Sequence, residues 1–152
     1  MKTLANRDDL NEIIGRIESI RPDSPRQWGR MSSAEMIRHC IDALSVGLGD
    51  KKVGLVKTPL PRSVLKLIVL YAPMKWPKNV PTGAPIDPQR EGSQPGDFSA
   101  DLDELVRVTH RFVLSKQQDA KLNHPFFGPL SDREWLRWGY LHQDHHLRQF
   151  GL

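Results

Sequence analysis

The apolar residues of this chain recur mainly at three- and four-residue intervals, the spacing that places them on one face of an α-helix. The clearest example is a run near the N-terminus, made of Leu10, Ile13, Ile14, Ile17 and Ile20. The alternation of apolar and polar residues that is typical of half-buried strands is scarce. The sequence therefore predicts an all-α fold rather than one built on a sheet.

Signals for helix ends divide the chain into five predicted helices. The first begins at Asn6 and ends before Pro22, because proline cannot continue a helix. The second and the last begin at capping boxes in residues 32–35 and 131–134. Between them we expect a short helix over residues 62–71 and a longer one capped by Ser99. A length of 152 residues suits one helical-bundle domain over residues 1–152.

One long segment does not fit the helical pattern. Residues 73–97 are rich in proline and glycine, so the sequence predicts an irregular insert. Loops of this length in a compact domain usually cover a site or move. We expect the insert to lie over the bundle, near its histidines or at a subunit contact.

The composition favours a soluble protein of the cytoplasm. Hydrophobic residues make up 38% of the chain, enough for a core. The longest apolar run, residues 67–73, is far shorter than the ~20 residues that cross a bilayer, so no transmembrane segment is expected. No secretory pattern is visible at the N-terminus. The lone Cys40 excludes an internal disulfide.

The net charge of +4 is concentrated in one stretch. Residues 51–78 contain seven lysines and arginines and no acidic residue. Such a stretch can bind nucleic acid, anionic lipid or an acidic substrate, or it can be an ordinary solvated surface. No helix-turn-helix, zinc-finger or aromatic RNA-binding signature accompanies it, so no specific nucleic-acid partner is predicted.

Half of the six histidines lie within the last predicted helix. His142 and His146 are four residues apart, so they share one face of that helix and can bind a single metal ion. The same face carries Trp135 and Trp138, which we expect to point inward. The alternative is a cluster near a helix C-terminus, where a partly charged imidazole is favoured by the helix dipole.

A metal site of this kind needs a third ligand, and His39 is the first candidate. It lies on an apolar stripe of the second helix. His145 is an alternative to His146, because it is three residues from His142, and His110 is a candidate fourth ligand.

The groups around these ligands have other expected roles. Asp42 and Glu35 each lie within one turn of His39 and are candidates to orient its ring or to act as a base. No catalytic residue is assigned. The remaining histidine, His124, and the thiol of Cys40 are expected to be structural.

Two stretches resemble one known superfamily. "WGRMSSAEMIRHC" (28–40) is similar to the DinB/YfiT-like segment in which a tryptophan and a methionine precede a helix that ends in a metal-binding histidine. "HPFFGPLSDREWLRWGYLHQDHHLRQFGL" (124–152) resembles the C-terminal helix of that superfamily, with its H-x-x-x-H pattern. Within the superfamily, this sequence is most similar to a bacterial branch described as a domain of unknown function.

The resemblance implies a four-helix bundle with a divalent metal, zinc or nickel first, on His39, His142 and His146. The short helix 62–71 and the insert 73–97 would be additions to that bundle. Some members of the superfamily are transferases or isomerases that depend on low-molecular-weight thiols. The resemblance therefore implies a small-molecule substrate, with thiol transfer as the first reaction and hydrolysis as the second.

A second hypothesis assigns the chain a non-enzymatic role. In that interpretation the metal stabilises the bundle, and the basic stretch 51–78 engages a protein partner or an anionic surface. The segment 60–78 supports it, because it is apolar, basic at its ends and contains Trp76, as interfacial helices often do. The alternative is that this helix caps the core or forms a homodimer contact.

Overall fold

The computed structural model describes residues 1–116 and 122–152, and these ranges are mostly helical. They contain five α-helices: α1 (Arg7–Glu18), α2 (Ser33–Leu48), α3 (Arg62–Tyr71), α4 (Phe98–Ser115) and α5 (Asp132–Arg148). One turn of 3-10 helix covers Ala84–Ile86. Strands β1 (Asn123–His124) and β2 (Gly128–Pro129) pair antiparallel. This small hairpin corrects the all-α prediction, because strands of two residues are too short to show alternation.

The helices begin close to the predicted positions. Ser32 and Ser131 each accept a hydrogen bond from the backbone N–H of the glutamate three residues later, and both capping boxes are complete. Asn6 caps α1 by accepting from the N–H of Asp9. The predicted cap at Ser99 is wrong by two residues, because Asp97 accepts from the N–H of Ala100 and starts α4 earlier.

The helices pack in a closed arrangement around one apolar core. α2 contacts α4 and α5, α1 contacts the same two helices, and α3 lies on α5. The approach of α2 is close because Gly47 has no side chain: a Cβ atom there would lie 2.5 Å from Phe112 and 3.0 Å from Trp135. This packing brings the middle of α2, with His39, beside the C-terminal half of α5.

The insert 73–97 is tied to α2. The backbone N–H and the hydroxyl of Ser93 donate to the carboxylate of Asp42 at 2.8 and 2.7 Å. Asp87 is fully buried and accepts from Arg30 and from the N–H of Gln89. The insert therefore lies over the part of α2 that carries His39, near the histidines as expected, and it is anchored there by buried polar contacts.

Candidate metal centre

Three buried histidines from two helices converge at one point. His39 comes from α2, and His142 and His146 come from successive turns of α5. Their exposed fractions are 2%, 8% and 8%. One ring nitrogen of each can be chosen so that all three lie within 4.8 Å of one another. The Nε2 atoms of His39 and His142 are 3.2 Å apart.

Two of the three rings are oriented by a hydrogen bond on the nitrogen that faces away from the cluster. The Nδ1 atom of His39 lies 2.6 Å from the carbonyl oxygen of Ile86, and the Nδ1 atom of His146 lies 2.7 Å from the Oε1 atom of Gln149. An oxygen of this type only accepts, so each Nδ1 carries the proton and each Nε2 keeps its lone pair. This is the arrangement in which histidine binds metals in proteins.

The third ring shows why a cation suits the cluster. The Nδ1 atom of His142 is buried without a hydrogen-bond partner. If His142 carries its proton there, its Nε2 lone pair faces that of His39 at 3.2 Å, which is repulsive. A divalent cation removes this repulsion because it accepts both lone pairs. The residues therefore fit a metal ion held by three imidazoles.

The electrostatics of the cluster favour neutral rings. Burial lowers the pKa of His39, although its hydrogen bond to the Ile86 carbonyl acts in the opposite direction. Burial lowers the pKa of His142 and His146 well below the ordinary value, and the neighbouring histidines lower both further. All three imidazoles are therefore neutral at pH 7, the form that a metal requires.

The other histidines have separate positions. His145 is buried between Trp28 and Trp76, with ring centroids 6.1 and 5.9 Å away, and lies outside the group of three. Burial lowers its pKa to about 4. His110 is exposed on α4, so its prediction as a fourth ligand is wrong. His124 is buried in β1 and stacks on Phe127 with centroids 4.3 Å apart, as expected for a structural residue.

The predicted partners of His39 are also wrong. Asp42 accepts from Ser93 and pairs with Lys51, so its carboxylate faces the insert. Glu35 completes the capping box of α2. The group that orients His39 is the backbone carbonyl of Ile86, and a backbone atom leaves no signal in the sequence. Cys40 is buried, and burial raises the pKa of its thiol, which is consistent with a structural role.

The three histidines border a cavity of about 330 Å³. Its other walls come from α3, from the insert, from the hairpin and from α5, and include Leu65, Val69, Trp76, Val80, Phe127 and Trp138. A second cavity of about 460 Å³ lies beyond residues 80–82 and is also bordered by His145 and His146. The insert was expected near the histidines, but Trp76 was not identified from the sequence as part of the site.

Fold and site together define a mainly helical protein in which two packed helices bring three buried histidines close enough to hold a metal ion. The family model described as a protein of unknown function (DUF1569) matches residues 2–151, and the chain belongs to this family. Searches of curated proteins and of solved structures found no match. Within residues 1–116 and 122–152, no helix has both the length and the apolar character needed to cross a bilayer.

Proposed function

We propose that His39, His142 and His146 hold one divalent metal ion, zinc or nickel first, and that the protein is a metal-dependent enzyme for a small molecule. The convergence of three ring nitrogens within 4.8 Å of one another carries this proposal. Structural zinc sites usually have four protein ligands, whereas catalytic sites have three and keep one position open. The cluster has three histidines, and all three border the 330 Å³ cavity.

The proposed chemistry combines this environment with the family resemblance. A divalent ion at such a site acts as a Lewis acid and lowers the pKa of a water or thiol so that it reacts near neutral pH. The chain supplies neutral imidazoles, fixed ring orientations on His39 and His146, and a mostly apolar cavity beside them. Thiol transfer to an electrophilic small molecule is our first choice of reaction, and hydrolysis is the second. Both rest on the DinB/YfiT-like resemblance.

The fold proposal extends the same resemblance. We propose that α1, α2, α4 and α5 form a DinB-like four-helix bundle and that residues 1–152 are one domain. The support is that each of these helices contacts two of the others, while α3 packs mainly on α5. A cytoplasmic location is also proposed, on the basis of a single, unpaired Cys40.

The ligand assignment is tested with single alanine variants of protein purified without a histidine tag. His39→Ala, His142→Ala and His146→Ala should each weaken zinc binding by more than about tenfold, since each removes a ligand and even the groups that only orient ligands are worth 10–100-fold. His145→Ala should change it much less, and the exposed His110→Ala is the matched control. Metal content and competitive chelator titration measure both effects.

Two results would contradict this assignment. If His145→Ala loses the metal and His146→Ala keeps it, α5 is rotated from its position in the structure. If no variant binds less metal than the wild type, the cluster is not a metal site.

A separate experiment distinguishes an enzyme site from a metal that only stabilises the fold. Cobalt-substituted protein is titrated with 2-mercaptoethanol while its absorption spectrum is recorded. An open coordination position should give a new thiolate-to-cobalt charge-transfer band. An unchanged spectrum would show that the position is closed and would favour the stabilising role.

One observation favours a second candidate function, binding to an anionic membrane surface. The outer face of α3 exposes Val64, Leu67, Ile68 and Tyr71, and Leu60 is exposed just before the helix, with exposed fractions of 42–62%. Exposed lysines lie beside it in sequence, at positions 52, 57 and 75. Apolar residues with flanking basic charge are typical of helices that lie in the lipid interface.

Vesicle binding tests this second candidate. The protein should sediment with vesicles that contain phosphatidylglycerol, bind phosphatidylcholine vesicles less, and lose binding as salt is added. Leu67→Asp should abolish the binding. If Leu67→Asp instead converts a dimer to a monomer in analytical ultracentrifugation, the exposed stripe is a homodimer contact.

A further inference from the structure

We infer that the cavity beside the three histidines binds a predominantly apolar small molecule, whose single electron-pair-donating head group reaches the histidines. The apolar part of this inference rests on the cavity alone. The head-group part rests on the proposed metal site.

The walls of the cavity offer apolar contact in nearly every direction. α3 contributes Leu65 and Val69, the insert contributes Trp76 and Val80, and the hairpin contributes Phe126 and Phe127. The described residues that line the cavity include no aspartate, glutamate, lysine or arginine. A charged or strongly hydrated body placed there would lose its water without gaining a partner, which costs several kcal/mol.

The polar groups of the wall are mostly already occupied or lie on one side. The indole N–H of Trp76 donates to the carbonyl oxygen of Val69 at 2.9 Å, so the indole offers its ring to the cavity rather than a free donor. The ring of His142 stacks on Trp138 with centroids 4.8 Å apart. The Nδ1 atoms of His142 and of the adjacent His145 are buried without a hydrogen-bond partner, so the unpartnered ring nitrogens lie at the histidine cluster and directly beside it. A ligand is therefore expected to direct its one polar group toward that cluster and its apolar body toward α3.

The size of the cavity limits the ligand. A volume of about 330 Å³ lies at the lower end of the ~300–1,000 Å³ range of small-molecule pockets, and suits a body of one or two rings. The second cavity has a different character, because Arg30 and Arg90 are among its lining residues. A hydrophilic thiol would suit this second cavity better than the cavity beside the three histidines. The apolar ligand is therefore assigned to the cavity beside the three histidines.

The apolar assignment is tested on metal-free protein with the uncharged fluorescent probe N-phenyl-1-naphthylamine. Val69 lines the cavity, and its neighbour Ile68 points outward with an exposed fraction of 42%. Val69→Asp should weaken probe binding by at least tenfold, while Ile68→Asp, the matched control on the same helix, should change it less than twofold. If Val69→Asp does not fold, Val69→Thr adds one hydroxyl with nearly the same shape and should weaken binding about threefold.

The head group is tested with a pair of competitors that share one ring system. In the presence of zinc, 2-naphthalenethiol should displace the probe at least tenfold better than 2-methylnaphthalene. In metal-free wild type the two compounds should displace the probe equally well, because the thiol then has no metal to bind. Equal displacement by both compounds in zinc-loaded wild type would overturn the head-group assignment.

The outcomes separate this inference from the proposed function. Probe binding that depends on Val69 in a protein that takes up no zinc would support the apolar cavity and refute the metal enzyme. Zinc binding without probe binding would overturn the ligand class alone. Probe binding that is lost in Ile68→Asp and kept in Val69→Asp would place the probe on the outer face of α3 and would also overturn it.

Discussion

The closeness of α2 to α4 and α5 leads to a quantitative prediction for Gly47→Ala. The new Cβ atom would lie 2.5 Å from one ring atom of Phe112 and 3.0 and 3.1 Å from two ring atoms of Trp135. Both aromatic residues are fully buried, so a shift of either ring disturbs the packing of its neighbours. Overpacking of this kind costs ~1–3 kcal/mol of stability. Alanine also stabilises a helix by about 0.8–1 kcal/mol relative to glycine, which offsets part of this packing cost.

Gly15→Ala is the matched control. Gly15 is also inside a helix, α1, but its added Cβ atom would meet no atom within 4 Å. This variant should gain the helical preference alone, about 0.8–1 kcal/mol. The difference between the two variants isolates the packing cost, so Gly47→Ala should be less stable than Gly15→Ala by ~1–3 kcal/mol.

Urea unfolding of the metal-free variants, followed by far-ultraviolet circular dichroism, measures this difference from the unfolding midpoints at a constant slope. His39 lies on the same helix as Gly47, so a displaced α2 should also weaken zinc binding in Gly47→Ala and not in Gly15→Ala. Equal stabilisation by both substitutions would refute the close packing of α2 on Phe112 and Trp135.

Two further predictions concern pH and the insert. Burial lowers the pKa of His124 to about 3, so below pH 6.5 the unfolded chain binds a proton that the folded chain does not, and stability falls as pH falls. The free energy of unfolding should therefore fall less between pH 7.5 and pH 5 in His124→Asn than in the wild type, by about 2 kcal/mol. An equal fall in both proteins would contradict the lowered pKa of His124. Asp42→Ala removes the acceptor of Ser93 and should speed proteolysis within residues 73–97 roughly tenfold. The exposed Asp103→Ala should leave that rate unchanged.

The local features of the fold were determined by the sequence. The capping boxes at 32–35 and 131–134 are satisfied by contacts between residues three apart, so any helix that starts there shows them. The inward direction of Trp135 and Trp138 follows from helical periodicity, and both are buried. The shared face of His142 and His146 has the same origin. Each of these predictions depends on neighbours along the chain.

The composition of the site was decided by tertiary packing. His39 and His142 are 103 positions apart, and their contact exists because α2 and α5 pack together around a core that Gly47 allows to close. The partner of His39 is the Ile86 carbonyl, and the sequence suggested the carboxylates of Asp42 or Glu35 instead. A backbone carbonyl is present at every position, so only the path of the insert selects this one. That path also places Trp76 in the cavity wall, which periodicity within a helix cannot predict.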